Sequence, residues 1–340
     1  DPGPIQFGVA VVDTGANAPK PEHRYIYAWH FEGWLSLAIS PDGLAWSLHD
    51  PSQAIKHSHD INGLYYDPLR NWFVATISVY RPGYNWKNNR RVTMQSHSTD
   101  LVKWSVPHYV VLPSTEVDEG ETQFYAMDGY LARGRTTIGM VKVLRDDLKA
   151  DDPPKPADAY GVGYTAIAWS HDGVHWLRDT AHYFDPDPAK GAWDHAHAWI
   201  DEQVPVDDDV FLYYGGYARG HKVNRFEERQ IGLLKIKRDR YVARVAGDAP
   251  GVLRTVAFTC NGDELSVNVD ASKGSLQAQV IDENGNVLKG YSYADCGQVS
   301  TDALDAPLQW KGKTAALNAK TIRLEFAMRN ARLFALNIDE

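Results

Sequence analysis

Long helical periodicity is missing from this 340-residue chain, and no stretch approaches the ~18 consecutive apolar residues of a membrane-spanning helix. No membrane span is therefore expected. Cysteine is scarce: only Cys260 and Cys296 are present, both in the last quarter, without the spacing of a metal site. One structural disulfide joining two strands and a pair of buried thiols both fit that pattern. Gly-x-Gly-x-x-Gly, phosphate-loop and Gly-x-Ser-x-Gly phrases are absent, so nothing points to redox cofactors, phosphoryl transfer or serine hydrolysis. Positive charge is in deficit, with 35 Lys and Arg against 44 Asp and Glu and a formal net charge of −9. Nucleic acid is not an expected partner on that balance. No signal segment opens the chain; it begins Asp1-Pro-Gly-Pro, as a secreted or periplasmic protein does after processing.

Aromatic residues, by contrast, make up 11% of the chain, with 11 Trp and 18 Tyr. Without a helical period to accompany them, they favour β-structure, where flat side chains pack across a pleated face. Three short phrases organise that structure: Ser40-Pro-Asp-Gly-Leu-Ala-Trp46, Ser98-Thr-Asp-Leu-Val-Lys-Trp104 and Ser170-His-Asp-Gly-Val-His-Trp176. Each follows an apolar run and reads as strand, tight turn and returning strand. Asp bonds the backbone of its own turn, Gly permits a positive φ, and Trp anchors the returning strand. Trp46, Trp104 and Trp176 stand 58 and 72 residues apart, more than the roughly 40–50 residues of a four-stranded propeller blade. Polar inserts over 81–89 and 146–158 account for the excess. A β-propeller is the leading fold, because radial repetition leaves few exposed edges and surrounds an axis with innermost strands. Unrelated hairpins in a sandwich are the competing reading.

Alternation and turn residues divide 1–250 into four blade-sized segments. Strands are expected over 7–12, 25–30 and 34–39; over 61–66, 72–80 and 91–96; over 124–132, 136–144 and 163–169; and over 196–200, 210–217, 230–237 and 241–243. Near Gly251 the character changes. Runs over 253–258, 264–269, 276–281, 304–310 and 322–326 alternate cleanly, with Asp282-Glu-Asn-Gly285 as a hairpin turn. The Ser-Asp-Gly-Trp phrase does not recur, so 251–340 reads as a separate antiparallel β-sandwich that braces the propeller.

In a propeller the loops leading into the innermost strands carry the site. Polar clusters fall there: His57-Ser-His-Asp60, Glu119-Gly-Glu-Thr-Gln-Phe-Tyr-Ala-Met-Asp128 and Trp193-Asp-His-Ala-His-Ala-Trp199. They supply four candidate catalytic carboxylates, Asp60, Glu121, Asp128 and Asp194. Breaking a glycosidic bond needs one protonated carboxyl and one ionised partner about 5–9.5 Å away, a spacing that strands converging on an axis can provide. Each of these residues can equally cap a turn. Candidate sugar-binding residues are His59, Gln123, Tyr125, His195, His197, Arg219 and His221. His57 and His59 sit two apart, as do His195 and His197, so each pair points to one side of a strand. No cofactor is required, but four imidazoles meeting at the axis would bind a divalent metal, with Asp60 or Asp194 as an oxygen ligand. Bonds to sugar hydroxyls or to their own backbone are the alternative. Arg219, His221 and Arg225 follow Tyr213-Tyr-Gly-Gly-Tyr217 and can clamp a uronate or sulfate, unless that loop is simply solvated.

The Ser-x-Asp-Gly-x-x-Trp turns, the phrase Asn62-Gly-Leu-Tyr-Tyr-Asp-Pro68, the Tyr-Tyr-Gly-Gly run before His221 and the Gly-Asp-Glu-Leu-Ser-Val-Asn268 strand start resemble bacterial glycosyl-hydrolase-like propeller proteins. They are similar to the five-bladed glycoside hydrolase families 32 and 43. The likeness covers most of the chain as pattern, and the turns alone are shared with sialidases. The resemblance implies five blades, export, and carboxylates near the axis that trim polysaccharides. Since four segments are visible, a fifth blade would come from short termini or from a piece preceding the chain. The fructosidase Trp-x-Asn-Asp-Pro-Asn-Gly signature is absent; His59-Asp-Ile-Asn-Gly63 stands in a comparable place. The expected activity is exo-acting hydrolysis of plant or algal oligosaccharides, with Asp60 as base or nucleophile, Glu121 or Asp128 as acid, and Asp194 as an anchor. A polysaccharide lyase using His and Tyr on a uronate and a non-catalytic glycan-binding propeller are the alternatives.

Overall fold

The computed structural model describes residues 8–18, 20–82, 89–114, 116–150, 161–223 and 227–339. Asp1-Pro-Gly-Pro, Arg225 and most of the 81–89 and 146–158 inserts lie outside the described residues. Regular structure is β-strand with a few single-turn 3-10 segments, as the aromatic, aperiodic composition demands. No helix among the described residues is long and apolar enough to cross a membrane. The chain divides into two compact units.

The first unit runs to Val204 and resumes over Phe211–Leu234. One antiparallel meander joins β1 (Ala10–Asp13), β2 (Tyr25–Phe31), β3 (Trp34–Ser40) and β4 (Ser47–Lys56) in order; a second joins β5 (Asn62–Asp67), β6 (Trp72–Pro82), β7 (Asn89–Ser98) and β8 (His108–Val111). A third contains β9 (Thr122–Arg133), β10 (Thr136–Arg145), β11 (Val162–Ser170) and β12 (Leu177–Arg178). The fourth, β13 (His197–Val206), β14 (Asp209–Tyr217) and β15 (Gln230–Lys237), joins the third through one parallel pair, Gly163 opposite His197. Three meanders thus have four strands and one has three, and no sheet closes on itself among the described residues.

Neighbouring meanders bury their faces against each other. Ile26, Leu35 and Leu37 share a core with Leu64, Phe73 and Ile77, while Val110 and Val111 pack with Phe124, Met127 and Val143. Middle strands are covered on both faces, which is why β10 buries Met140, Val141, Val143 and Leu144 in a run instead of alternating.

All three repeated phrases connect the third strand of a meander to its fourth. In the second meander the Ser98 hydroxyl accepts the Leu101 N–H at 2.9 Å, and Asp100 Oδ1 accepts the N–H groups of Val102 (2.9 Å) and Lys103 (2.7 Å). The first and third copies repeat these bonds from Ser40 and Asp42 and from Ser170 and Asp172. Trp46 and Trp104 close their turns by donating the indole N–H to the carbonyls of Gly43 and Leu101, both at 3.1 Å. The position takes a positive φ in every copy: 75° at Gly43, 63° at Leu101 and 74° at Gly173. Ser98 is buried, so Ser98→Ala strands an amide and is expected to cost about 1–2 kcal/mol, read from chemical denaturation, with the fold retained.

The second unit comprises Pro205–Val210 and the chain from Lys235 onward. One antiparallel sheet has the order β16 (Arg244–Ala246), β23 (Ala331–Asp339), β19 (Glu264–Asp270), β21 (Asp302–Pro307). In the other, β22 (Thr321–Arg329) pairs with β17 (Gly251–Arg254), β18 (Phe258–Thr259) and β20 (Ser275–Ile281). Leu265, Val267 and Val269 of one sheet share a core with Val280, Leu324 and Phe326 of the other. The Asp282 carboxylate accepts the amides of Asn284 and Asn286, forming the expected hairpin turn. Cys260 and Cys296 are both buried free thiols. The change of unit falls at Lys235 instead of Gly251, and the strand expected over 241–243 is displaced to β16. Three residues carry no periodicity; their assignment comes from pairing with β23, about ninety positions away.

Candidate functional site

The first strand of every meander lines a single cavity of about 760 Å³ in the first unit. Ala10 comes from β1, Asn62 and Tyr65 from β5, Tyr125 and Asp128 from β9, and Trp199, Asp201 and Glu202 from β13. The segment before β5 adds His59 and Asp60, β10 adds Lys142, and the segment after β14 adds His221. Close packing fixes this wall: a side chain on Gly163 would run into the Trp199 indole, whose N–H donates to the Val143 carbonyl at 2.9 Å.

One part of the cavity is a carboxylate cluster. Lys142 Nζ lies 2.5 Å from Asp128 Oδ2 and also contacts Asp201 Oδ1. The Tyr65 hydroxyl donates to Asp128 Oδ1 at 3.0 Å and accepts the Gly129 N–H at 3.2 Å. Burial works against the ammonium of Lys142, but the two carboxylates outweigh it and hold the group charged well above the ordinary lysine range. Glu202 is open to the cavity yet closely surrounded by protein. Desolvation, then the charges of Asp128 and Asp201, push its carboxyl up to about 7, with Lys142 pulling the other way. Glu202 can therefore carry a proton near neutrality beside carboxylates that a lysine holds in place.

A second part is aromatic and cationic. Arg91 donates from Nε to His59 Nε2 at 3.2 Å and from Nη1 to Gln123 Oε1 at 2.8 Å, and lies over the Tyr125 ring at 5.1 Å. His59 Nε2 is also 3.2 Å from Asp60 Oδ1. Tyr125 stacks on Trp199 with 5.0 Å between centroids and meets His221 edge-on at 4.9 Å. Arg229 lies 4.3 Å over Tyr217 and donates to the His221 carbonyl at 2.9 Å.

Of the residues expected from the sequence, Asp60, Asp128, His59, Tyr125 and His221 line this cavity. Gln123 sits behind it as the acceptor for Arg91. The others are engaged elsewhere. Glu121 pairs with Arg90 at 3.2 Å, Asp194 accepts the Tyr214 hydroxyl at 2.9 Å, and Arg219 binds Glu228. His195 bonds the carbonyls of Asp187 and Ala150, His197 donates to Gly161 at 2.6 Å, and His57 faces the Ser78 carbonyl. No group of three or more His, Cys, Asp or Glu able to hold a metal occurs among the described residues. Lys142, Asp201, Glu202 and Arg91 escaped the sequence reading because they lie on strands outside the polar clusters, whereas Lys222 and Arg229 belong to a charged run, 222–229, that reads from sequence as a solvated loop, yet these two line the cavity. Glu202 does fall on β13, three residues beyond Trp199 in a cluster already singled out, and that was the available signal.

Burial also sets the imidazoles. Desolvation, the leading cause for each, pulls His57 and His59 to about 4 and His197 to about 3, and lowers His221 well below the usual value. These groups are neutral in the folded chain at neutral pH, whereas the unfolded chain takes up protons near 6.5. The stability they contribute is whole above 6.5 and is lost as pH falls toward 3–4. Thermal unfolding temperature is expected to drop steadily across that window, with a shallower drop in His57→Gln; an unchanged slope there would contradict the assignment.

No family model matches the sequence, and no curated protein matches it. Among solved structures, it is similar to an N-acetylgalactosamine deacetylase from F. plautii in complex with blood group B trisaccharide, with a TM-score of 0.45 and 13% identity over 64% of this chain and 70% of that one. A glycosyl hydrolase from Bacteroides ovatus gives a TM-score of 0.38 and 11% identity over 62% and 60% of the two chains. A family 43 glycoside hydrolase retrieved from a capybara gut metagenome gives 0.42 and 12% over 70% of this chain and 41% of that one. At these scores the function has to be argued from the chain's own residues.

Proposed function

We propose that the meanders of the first unit are propeller blades, that the cavity lies at their axis, and that it hydrolyses glycosidic bonds. One observation carries the reading: a carboxyl held up to about 7, Glu202, shares a concave site with carboxylates on neighbouring first strands. Glu202 takes the acid role, protonating the leaving oxygen, in place of Glu121 or Asp128. Asp60 keeps the role of base or nucleophile. Desolvation, helped by the charges of Asp128 and Asp201, keeps Glu202 protonated, and those two carboxylates, bridged by Lys142, supply a negative field that stabilises an oxocarbenium-like transition state. An exported, exo-acting enzyme on polysaccharide fragments, needing no cofactor, fits this arrangement.

Incubation with mixed plant and algal oligosaccharides should release new reducing ends, lost in Asp60→Asn. Elimination also creates a reducing end, so the discriminating result is a product that absorbs in the ultraviolet and carries no oxygen from labelled water, which would favour a lyase instead. That second reading draws on Arg91 and Arg229, which could neutralise a uronate carboxylate. Glycan binding without any product would leave a non-catalytic receptor.

A further inference from the structure

Resting on the reading of this cavity as a sugar site, the structure assigns it a substrate class: we propose that it selects a sugar bearing an oxyanion, a uronate carboxylate or a sulfate ester, received between Arg91 and Arg229. Arg91 is largely enclosed, with 13% of its side chain exposed, yet its hydrogen bonds go to neutral groups, the His59 imidazole and the Gln123 amide. The carboxylate oxygen nearest to it, on Asp146, is 3.8 Å away, beyond hydrogen-bond reach. Held by two neutral acceptors and a long ion pair to Asp146, this guanidinium in the cavity wall keeps donors for a ligand. Arg229 and Lys222 line the same cavity and are exposed to it. The fields of Arg91, Arg229 and Lys222 all reach His221. That imidazole, neutral and edge-on to Tyr125, can donate or accept a hydrogen bond without adding charge.

Asp128 and Asp201, only half compensated by Lys142, would repel a second negative group, so a ligand with one oxyanion is oriented: its acidic substituent lies toward Arg91 and its scissile oxygen toward Glu202.

The test is a glycan microarray of matched neutral, uronate-bearing and sulfate-bearing oligosaccharides, followed by calorimetry on the strongest binder and its neutral counterpart. Binding confined to acidic members supports the proposal, and whether uronates or sulfates respond identifies the source of the oxyanion. Arg91→Gln and Arg229→Gln should each weaken the acidic ligand about tenfold, the scale of one charge-assisted bond, and leave the neutral one unchanged. Arg229 is exposed, so its variant reports even if Arg91→Gln fails to fold. Equal binding of neutral and acidic members, or an unaltered preference in a folded Arg229→Gln, overturns the proposal. Acidic glycans bound but never cleaved overturn hydrolysis alone; neutral glycans cleaved in preference overturn the oxyanion alone; no glycan bound overturns both.

Discussion

Glu202→Gln is expected to lower turnover by about 10²–10⁴-fold, the range typical of losing a positioned proton donor. Gln keeps the shape and can hydrogen-bond, so sugar affinity measured by calorimetry should stay within a few-fold of the parent chain. The pH profile gives a sharper readout. As an acid, Glu202 must be protonated, so activity should decline as pH rises through about 7, and this basic limb should vanish from the residual rate of the variant. The stability consequence has the opposite sign to that of an ordinary salt-bridged carboxylate. The folded chain holds the Glu202 proton to about 7 whereas the unfolded chain releases it near 4.5, so folding is disfavoured progressively as pH climbs between those values. Glu202→Gln should therefore unfold at a higher temperature than the parent at pH 8 and at a similar one at pH 4. A variant with full activity, or with an unaltered basic limb, would remove Glu202 from the acid role.

Lys142→Met should be the most damaging single change to the unit. Lys142 is buried and is the cation bridging Asp128 and Asp201; its removal leaves two carboxylates facing each other across a space a methionine cannot neutralise. Breaking a buried ion pair by deleting one partner costs about 3–5 kcal/mol. The lower end applies here because half of the Asp201 side chain is exposed. Denaturant titration should show that loss, and adding Asp201→Asn should recover part of it, since the repulsion it relieves exists only when Lys142 is gone. The same change moves the chemistry. Lys142 pulls the Glu202 carboxyl down, so the basic limb of activity should shift to higher pH in any Lys142→Met that folds. A limb that stays in place would mean that the cluster and the proton donor are uncoupled.

Much of the fold was legible because its signals are local. Ser and Asp at fixed spacing make their hydrogen bonds within seven residues in all three copies, so each phrase identifies the link between third and fourth strands. The Trp bond is local in two copies and reaches Gln95 from Trp176 in the third. Even the copy lacking Gly obeys, with Leu101 adopting the positive φ that Gly43 and Gly173 take. Legibility ended where pairing became distant. Strand β16 is too short to show a period, and β23 lies wholly beyond the last expected strand, 322–326, which falls within β22.

For the site, polar clusters before first strands led to Asp60, His59 and Asp128, which do face the cavity. The same rule also selected Asp194, Glu121 and His197, whose side chains serve Tyr214, Arg90 and the Gly161 carbonyl. Sequence by itself determined the β-structure, the repeated meanders and the stretch of chain in which to look, because alternation and turn chemistry depend on neighbours within a few residues. Only the tertiary structure decided which polar groups share a cavity. Lys142, Asp128 and Asp201 come from three different strands, Glu202 adjoins them, and the shift that lets Glu202 hold a proton arises from desolvation and charges brought together across those strands.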